Sequence, residues 1–208
     1  MKKSKKSKKE ISVHKPSQDY IEAALKFCTR QIDTLGHPLA DDALFTHLDD
    51  SNSSLLREAV LAHVANLKWC SEKHGPDAMD PVTGKNYEIK PKRGDKSPFK
   101  GGGSFSDLTE KRIEAMKTTN DGMIVGLFVE RRLVLALEFL LSDIMPKLEA
   151  KVIKECVDGK NRYARSSGFD YRDYKDSKNL KIIYIDEDMI AEYECIHHEL
   201  YDLILSTK

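Results

Sequence analysis

The sequence has little with which to build a disulfide framework, a zinc cage or a membrane anchor. Its four cysteines (Cys28, Cys70, Cys156 and Cys195) are scattered, with no CxxC pair. That excludes the usual paired-thiol zinc spacing and reads as reduced thiols of an intracellular, cytoplasmic protein. No uninterrupted apolar run approaches the roughly 20 residues a membrane span needs, so no membrane partner is expected. The HExxH spacing is missing too: "CIHHELY" sets His197, His198 and Glu199 side by side, which does not bring two histidines onto one helical face. No internal repeat is present. Net charge is also absent, with 34 Lys+Arg against 34 Asp+Glu, but this balance hides an asymmetry. Residues 1–15 hold seven lysines and a single acid, Glu10, so the balance of the chain is mildly acidic and any cationic surface on it must be local. The segment lacks order-promoting residues and is not followed by an apolar stretch, so it reads as a flexible basic tail and not a signal peptide. Such a tail serves either as a solubilising end or as a phosphate-binding arm.

What is present suffices for one core: 208 residues, 40% of them apolar and 33% charged, give a single domain over 16–208 behind the tail. Helical periodicity comes first. Ser17 caps a helix with Ile21, Leu25, Cys28, Ile32 and Leu35 on one face, closed by Gly36. A shorter helix carries Leu39, Ala43, Leu44 and Leu48, and a third carries Leu56, Val60, Val64 and Leu67 and runs to Gly75–Pro76. The pattern then changes. "DAMD" and "NYEIK" flank the turn signal "PVTG" and predict a hairpin. A Gly-rich polar loop follows, then a helix over "LTEKRIEAMK", for which Asp107 and Glu110 resemble a capping box. "MIVGLFVE" and "LVLALEFLL" predict two strands joined at Glu130–Arg132. A helix from about Ser142 to Cys156, a polar loop, the strand "LKIIYI" and a last helix through Met189, Tyr193, Ile196, Leu200 and Leu203 complete the chain. Helices around a mixed central sheet make the fold class α/β or α+β.

The hairpin carries the chemistry. Residues i and i+2 of a strand share a side, so Glu88 and Lys90 project together. If Asp80 pairs with Lys85, Asp77 falls opposite Glu88, and two carboxylates and one ammonium converge. Carboxylates held close repel unless a cation lies between them. Mg²⁺ suits such a set, with Asp77, Glu88 and the Ile89 carbonyl as metal ligands and waters or phosphate in the other positions. Asp77, Glu88 and Lys90 then form a catalytic group in which the metal activates water and Lys90 offsets charge on a phosphate. The plain alternative is a solvated hairpin with a surface ion pair, worth under about 1 kcal/mol.

"PDAMDPVTGKNYEIK" resembles the active-site hairpin of the PD-(D/E)XK nuclease superfamily, and within it the PvuII-like type II restriction endonucleases. The matching residues are Pro76, Asp77, Ala78, Met79, Asp80, Gly84, Tyr87, Glu88, Ile89 and Lys90. The resemblance implies a restriction-endonuclease-like core and a Mg²⁺-dependent, sequence-specific endonuclease acting on double-stranded DNA. A structure-specific or repair nuclease such as a junction resolvase, or a catalytically inert DNA-binding module, is the alternative. The turn is one residue longer than the family pattern, which leaves both Asp77 and Asp80 eligible as first ligand; the preceding proline and the pairing favour Asp77.

Between Lys90 and Arg112 seven basic residues meet three acids, a local excess that suits a phosphate backbone. Lys92, Arg93, Lys100, Ser104, Ser106, Asp107 and Thr109 are the DNA-binding candidates of this stretch, Lys100 and Ser104 being the better ones and Asp107 better suited to a helix cap. "RYARSSGFDYRDY" is a second DNA-facing loop or a merely solvated one. Cutting both strands of a duplex needs two sites about a two-fold axis. A homodimer formed through residues 17–74 is therefore expected, because three N-terminal helices offer more apolar face than one sheet edge requires.

Overall fold

The computed structural model describes residues 16–31, 42–49, 54–70, 75–94, 98–192 and 196–206. The lysine-rich segment 1–15 lies outside them. Helix α1 (Gln18–Cys28) starts where the Ser17 hydroxyl accepts the Tyr20 N–H, and it buries Ile21, Ala24, Phe27 and Cys28. It ends earlier than its apolar periodicity predicts. The Thr29 N–H closes back on the Leu25 carbonyl, and Arg30 adopts φ 59, which no right-handed helix can continue through. The expected continuation over Ile32, Leu35 and Gly36 lies outside the described residues, as does Leu39. Helix α2 (Asp42–Asp49) buries Leu44 and Leu48, and α3 (Leu55–Val64) buries Leu56, Ala59, Val60 and Leu61. Helix α3 does not reach Gly75. Asn66, at φ 57, turns the chain aside, and Lys68–Trp69 becomes an unexpected edge strand.

Among the described residues eight strands follow: β1 (Lys68–Trp69), β2 (Ala78–Met79), β3 (Asn86–Arg93), β4 (Gly103–Leu108), β5 (Gly122–Val129), β6 (Arg132–Leu140), β7 (Ala164–Phe169) and β8 (Lys181–Ile185). Six form one mixed sheet in the order β1-β2-β3-β5-β6-β8, in which β3 and β5 run parallel and every other pair is antiparallel. The fold is α/β with a central sheet covered by helices. Strand β5 is buried throughout and alternates between two cores: Met123, Val125 and Leu127 face one, Ile124 and Phe128 the other. Gly126 makes room for the Leu61 side chain of α3, with which a Cβ there would collide. The β5–β6 turn is the expected one, with Glu130 and Arg131 both at positive φ, the geometry of a two-residue hairpin that matches strand twist.

Helices α1, α2 and α3 cover one face of the sheet and spend their apolar side chains in that core. Among the described residues of 17–74, these apolar helix faces are thus taken up within the chain and do not themselves call for a partner. The surplus apolar face is filled by Tyr87, Ile89, Leu133 and Ala136 of the same chain.

The opposite face carries α4 (Glu110–Thr119), α5 (Met145–Val152) and the separate antiparallel ribbon of β4 and β7. Both ribbon strands were expected as loops. Their sequences, "GSFSDL" and "ARSSGF", have low strand propensity, but every inward position is filled: Phe105 and Phe169 pack together, and Leu108 and Ala164 are fully buried. The cap of α4 is Thr109, whose hydroxyl accepts the Arg112 N–H, and not Asp107, which sits at φ 52 in the last turn of β4. The helix expected from Ser142 begins at Met145 after a 3-10 turn and ends in a π-helical turn over Ile153–Asp158. The last helix is divided into α6 (Glu187–Glu192) and α7 (His198–Ser206), because Ile196 leaves the helical path to bridge Phe99. Among the described residues no helix is long and apolar enough to cross a membrane.

Candidate active site

Strand β2 pairs with β3 over two residues only, Ala78 with Tyr87 and Met79 with Asn86. This is the expected register, and it sets Asp77 opposite Glu88. At the tip, the Asp80 N–H bonds the Lys85 carbonyl at 2.8 Å and the Gly84 N–H returns to the Asp80 carbonyl at 2.9 Å. Gly84 sits at φ 73, so the turn requires a residue free of the Cβ penalty there.

Beyond Tyr87 the edge of β3 has no β2 backbone to bond. The Asp77 carboxylate takes its place and accepts the Ile89 N–H at 2.8 Å. Because the N–H and C=O of one strand residue point to the same neighbour, the Ile89 carbonyl faces this edge as well. Glu88 and Lys90 lie on the other side of the pleat from the buried Tyr87 and Ile89, and the Lys90 ammonium bonds Glu88 Oε1 at 2.5 Å. The two side chains are only 16% and 24% exposed, so this is not a solvated surface pair. The ribbon holds Lys90 from the other side. Its Nζ lies 4.8 Å from the Phe105 ring centroid, and a Cβ on Gly103 would come within 3.0 Å of the lysine stem.

Burial and the neighbouring Glu88 charge push the Asp77 carboxyl up to about 7, against the opposing pull of Lys90 and the Ile89 amide. Asp80 is the reverse case. The Thr83 hydroxyl and the Val82 and Thr83 amides bond its exposed carboxylate and hold it below the ordinary range. The structure thus separates two aspartates that the turn length left equivalent: Asp77 joins Glu88, Lys90 and the Ile89 backbone, while Asp80 ties the turn.

Glu58 of α3 was not anticipated. Its charge is felt at Asp77, and its own proton affinity is raised first by burial, with Ser54, Lys90 and Glu88 as smaller influences. The signal available was that Glu58 is the lone acid in the apolar helix "LLREAVLAHV".

A cleft of about 710 Å³ opens beside Lys90. Lys92, Arg93, Lys100 and Ser104 line it, as four of the seven DNA-binding candidates, and Lys147 joins them from α5. Arg93 also donates to the Asp49 carbonyl at 2.7 Å. Ser106, Asp107 and Thr109 do not line the cleft. Ser106 pairs with Ser166 in the ribbon and its carbonyl accepts from Arg112, Asp107 occupies the positive-φ corner, and Thr109 caps α4. In the second polar loop Arg172 is held by Asp170 through two bonds, of 3.1 and 2.7 Å.

Among the described residues no three His, Cys, Asp or Glu side chains are grouped to hold a metal between them. The set on this edge is different: two carboxylates and a main-chain carbonyl, with the half-buried Asp77 carboxyl reluctant to ionise. That donor set fits a hard cation that keeps several waters, such as Mg²⁺, and fits a thiolate- or imidazole-seeking metal poorly. No protein-family model matches the chain, and no curated protein is detectably similar to it.

Proposed function

We propose that this protein is a Mg²⁺-dependent endonuclease of double-stranded DNA, of the PD-(D/E)XK type and with the sequence specificity of a restriction enzyme. One observation carries the reading: Asp77, Glu88, the Ile89 backbone and Lys90 meet along β3 where its pairing with β2 ends, and Lys90 also lines a basic cleft. Asp77, Glu88 and the Ile89 carbonyl would hold the cation. When bound, it would supply a water of lowered pKa and neutralise negative charge on the scissile phosphate. The chain's own residues do the rest. Asp77, anchored on the Ile89 amide through one oxygen, would offer the other to the cation. Lys90, fixed between Glu88 and the Phe105 ring, presents its ammonium to the phosphate or the attacking oxygen, where it stabilises charge developing in the transition state. Lys92, Arg93 and Lys100 bind flanking phosphates.

A homodimer belongs to this reading, since one site hydrolyses one strand, but its contact lies elsewhere than the core-filling faces of α1, α2 and α3. Incubation of the protein with plasmid and Mg²⁺ tests the proposal. Discrete linear fragments with a common end sequence are expected. Nicking or cleavage only of junctions would move the reading to a structure-specific nuclease, and binding without cleavage would move it to an inert module.

A further inference from the structure

The basic cleft does not stop beside Lys90. A second concavity of about 350 Å³ continues from it, and the two share Lys147 and Gly168 in their walls. One wall of the continuation is α5 and its π-helical extension, which present Lys147, Lys151 and Lys154. The floor is β7, through Ser166, Ser167 and Gly168. Spacings of four and three residues place the lysines on one stripe of the helix. At 1.5 Å per residue the stripe is about 10 Å long, enough to meet about two to three phosphates of one DNA strand.

An ordinary solvated lysine face is convex and stands alone. This one is concave and continuous with the cleft at Lys90, and its floor is made of small residues that leave room for a backbone. It also stands in a chain that is net acidic outside its first fifteen residues. Lys147 pairs with Asp173 at 2.7 Å and Lys151 with Glu155 at 2.5 Å, both as partly exposed surface pairs of the kind that exchange readily for a phosphate.

We infer that Lys147, Lys151 and Lys154 form a phosphate track that carries one strand of the DNA duplex away from the site, along the groove between α5 and the β4–β7 ribbon. The inference rests on the endonuclease reading and extends it: the bound strand continues past Lys90 and is contacted well beyond the scissile phosphate. Free duplex ends are then not required, and short duplexes that leave the track empty bind less tightly than long ones.

The test compares the wild-type protein with K147A/K151A/K154A, using fluorescence anisotropy of a labelled duplex of about 30 base pairs without divalent metal, across 50 to 200 mM salt. Each lost phosphate contact removes about 0.9 from the slope of log affinity against log salt, so the slope should flatten by about 2–3 and binding at the upper salt should weaken roughly tenfold or more. The charge-keeping K147R/K151R/K154R protein should recover both slope and affinity, which separates charge from folding. If the wild-type protein binds and cuts while the folded alanine variant keeps the same slope and affinity, the track alone is overturned. If the wild-type protein does not bind duplex at any salt, the track and the endonuclease reading fall together.

Discussion

The root and the tip of one hairpin treat the same residue type in opposite ways. Asp77, at the root, is half-buried beside Glu88 with its proton affinity raised to about 7. Asp80, three residues on, is exposed and held in its ionised form by one hydroxyl and two amides. Neighbouring chain segments differ accordingly: at the tip the backbone satisfies itself through Asp80 and Gly84, whereas at the root a carboxylate replaces the missing strand. A group kept under electrostatic stress is what a cation site requires, and a group fully satisfied by its own turn is what a stable loop requires. Under the proposed endonuclease reading, the contrast puts the chemistry at the root and the architecture at the tip.

The largest effect that would sharpen this contrast comes from removing a carboxylate at the root. Asp77→Asn or Glu88→Gln should reduce cleavage by about three orders of magnitude or more, the scale on which a lost charge-stabilising group acts. The fold should persist. Melting temperature and cleavage measured on the same samples check both halves; near-normal cutting by either variant would end the ligand assignment.

A pH series gives the next test, and its sign follows from the raised Asp77 pKa. The folded protein holds a proton on Asp77 that the unfolded chain has released, so between about pH 4 and pH 7 the unfolded state binds fewer protons and stability falls as pH rises. Metal-free denaturant melts at pH 5 and pH 8 should show this loss. Asp77→Asn should flatten it, and millimolar Mg²⁺ should restore stability to the wild type at pH 8 but not to the variant. A wild-type profile that stays flat without metal would mean that Asp77 titrates normally.

Much of this layout was legible in the sequence because it depended on local pattern. The hairpin register followed from a Pro/Gly turn and alternation, and β5 and β6 from long apolar runs. What was missed depended on partners distant in sequence. "GSFSDL" and "ARSSGF" became strands only because each supplies the other's ladder and Phe105 meets Phe169. Helices α1 and α3 ended early because Arg30 and Asn66 take left-handed backbone, which apolar periodicity does not report. Glu58 was hidden for the same reason: its relation to Asp77 exists only once α3 packs on the sheet. The three N-terminal helices looked surplus because the sequence does not show how much of the sheet's second face needs covering.

Lys90 separates charge from placement. Lys90→Ala should slow the single-turnover step by about a hundredfold while metal-dependent stabilisation remains, as expected for one lost charge-stabilising group. Phe105→Leu keeps the charge and loosens its seat. A ring–ammonium contact of this kind is worth about 0.5–2 kcal/mol, so a several-fold slowing is expected, with DNA affinity unchanged. A Phe105→Leu protein that cuts at the wild-type rate would show that Glu88 alone positions the lysine.

The smallest effect is predicted at the tip, and it bears directly on the comparison. Asp80→Ala removes the acceptor for the Val82 and Thr83 amides and the Thr83 hydroxyl. The Asp80 N–H to Lys85 bond and the Gly84 turn are made by backbone and survive the change. The turn should loosen, detectable as faster amide exchange at Val82 and Thr83, while the register of Ala78 with Tyr87 and the position of Asp77 hold. Cleavage should change by no more than about twofold, as for a surface substitution away from the chemistry. A loss in Asp80→Ala as deep as in Asp77→Asn would reverse the assignment, because the tip would then be supplying a ligand and the root only a structural cap for the Ile89 amide.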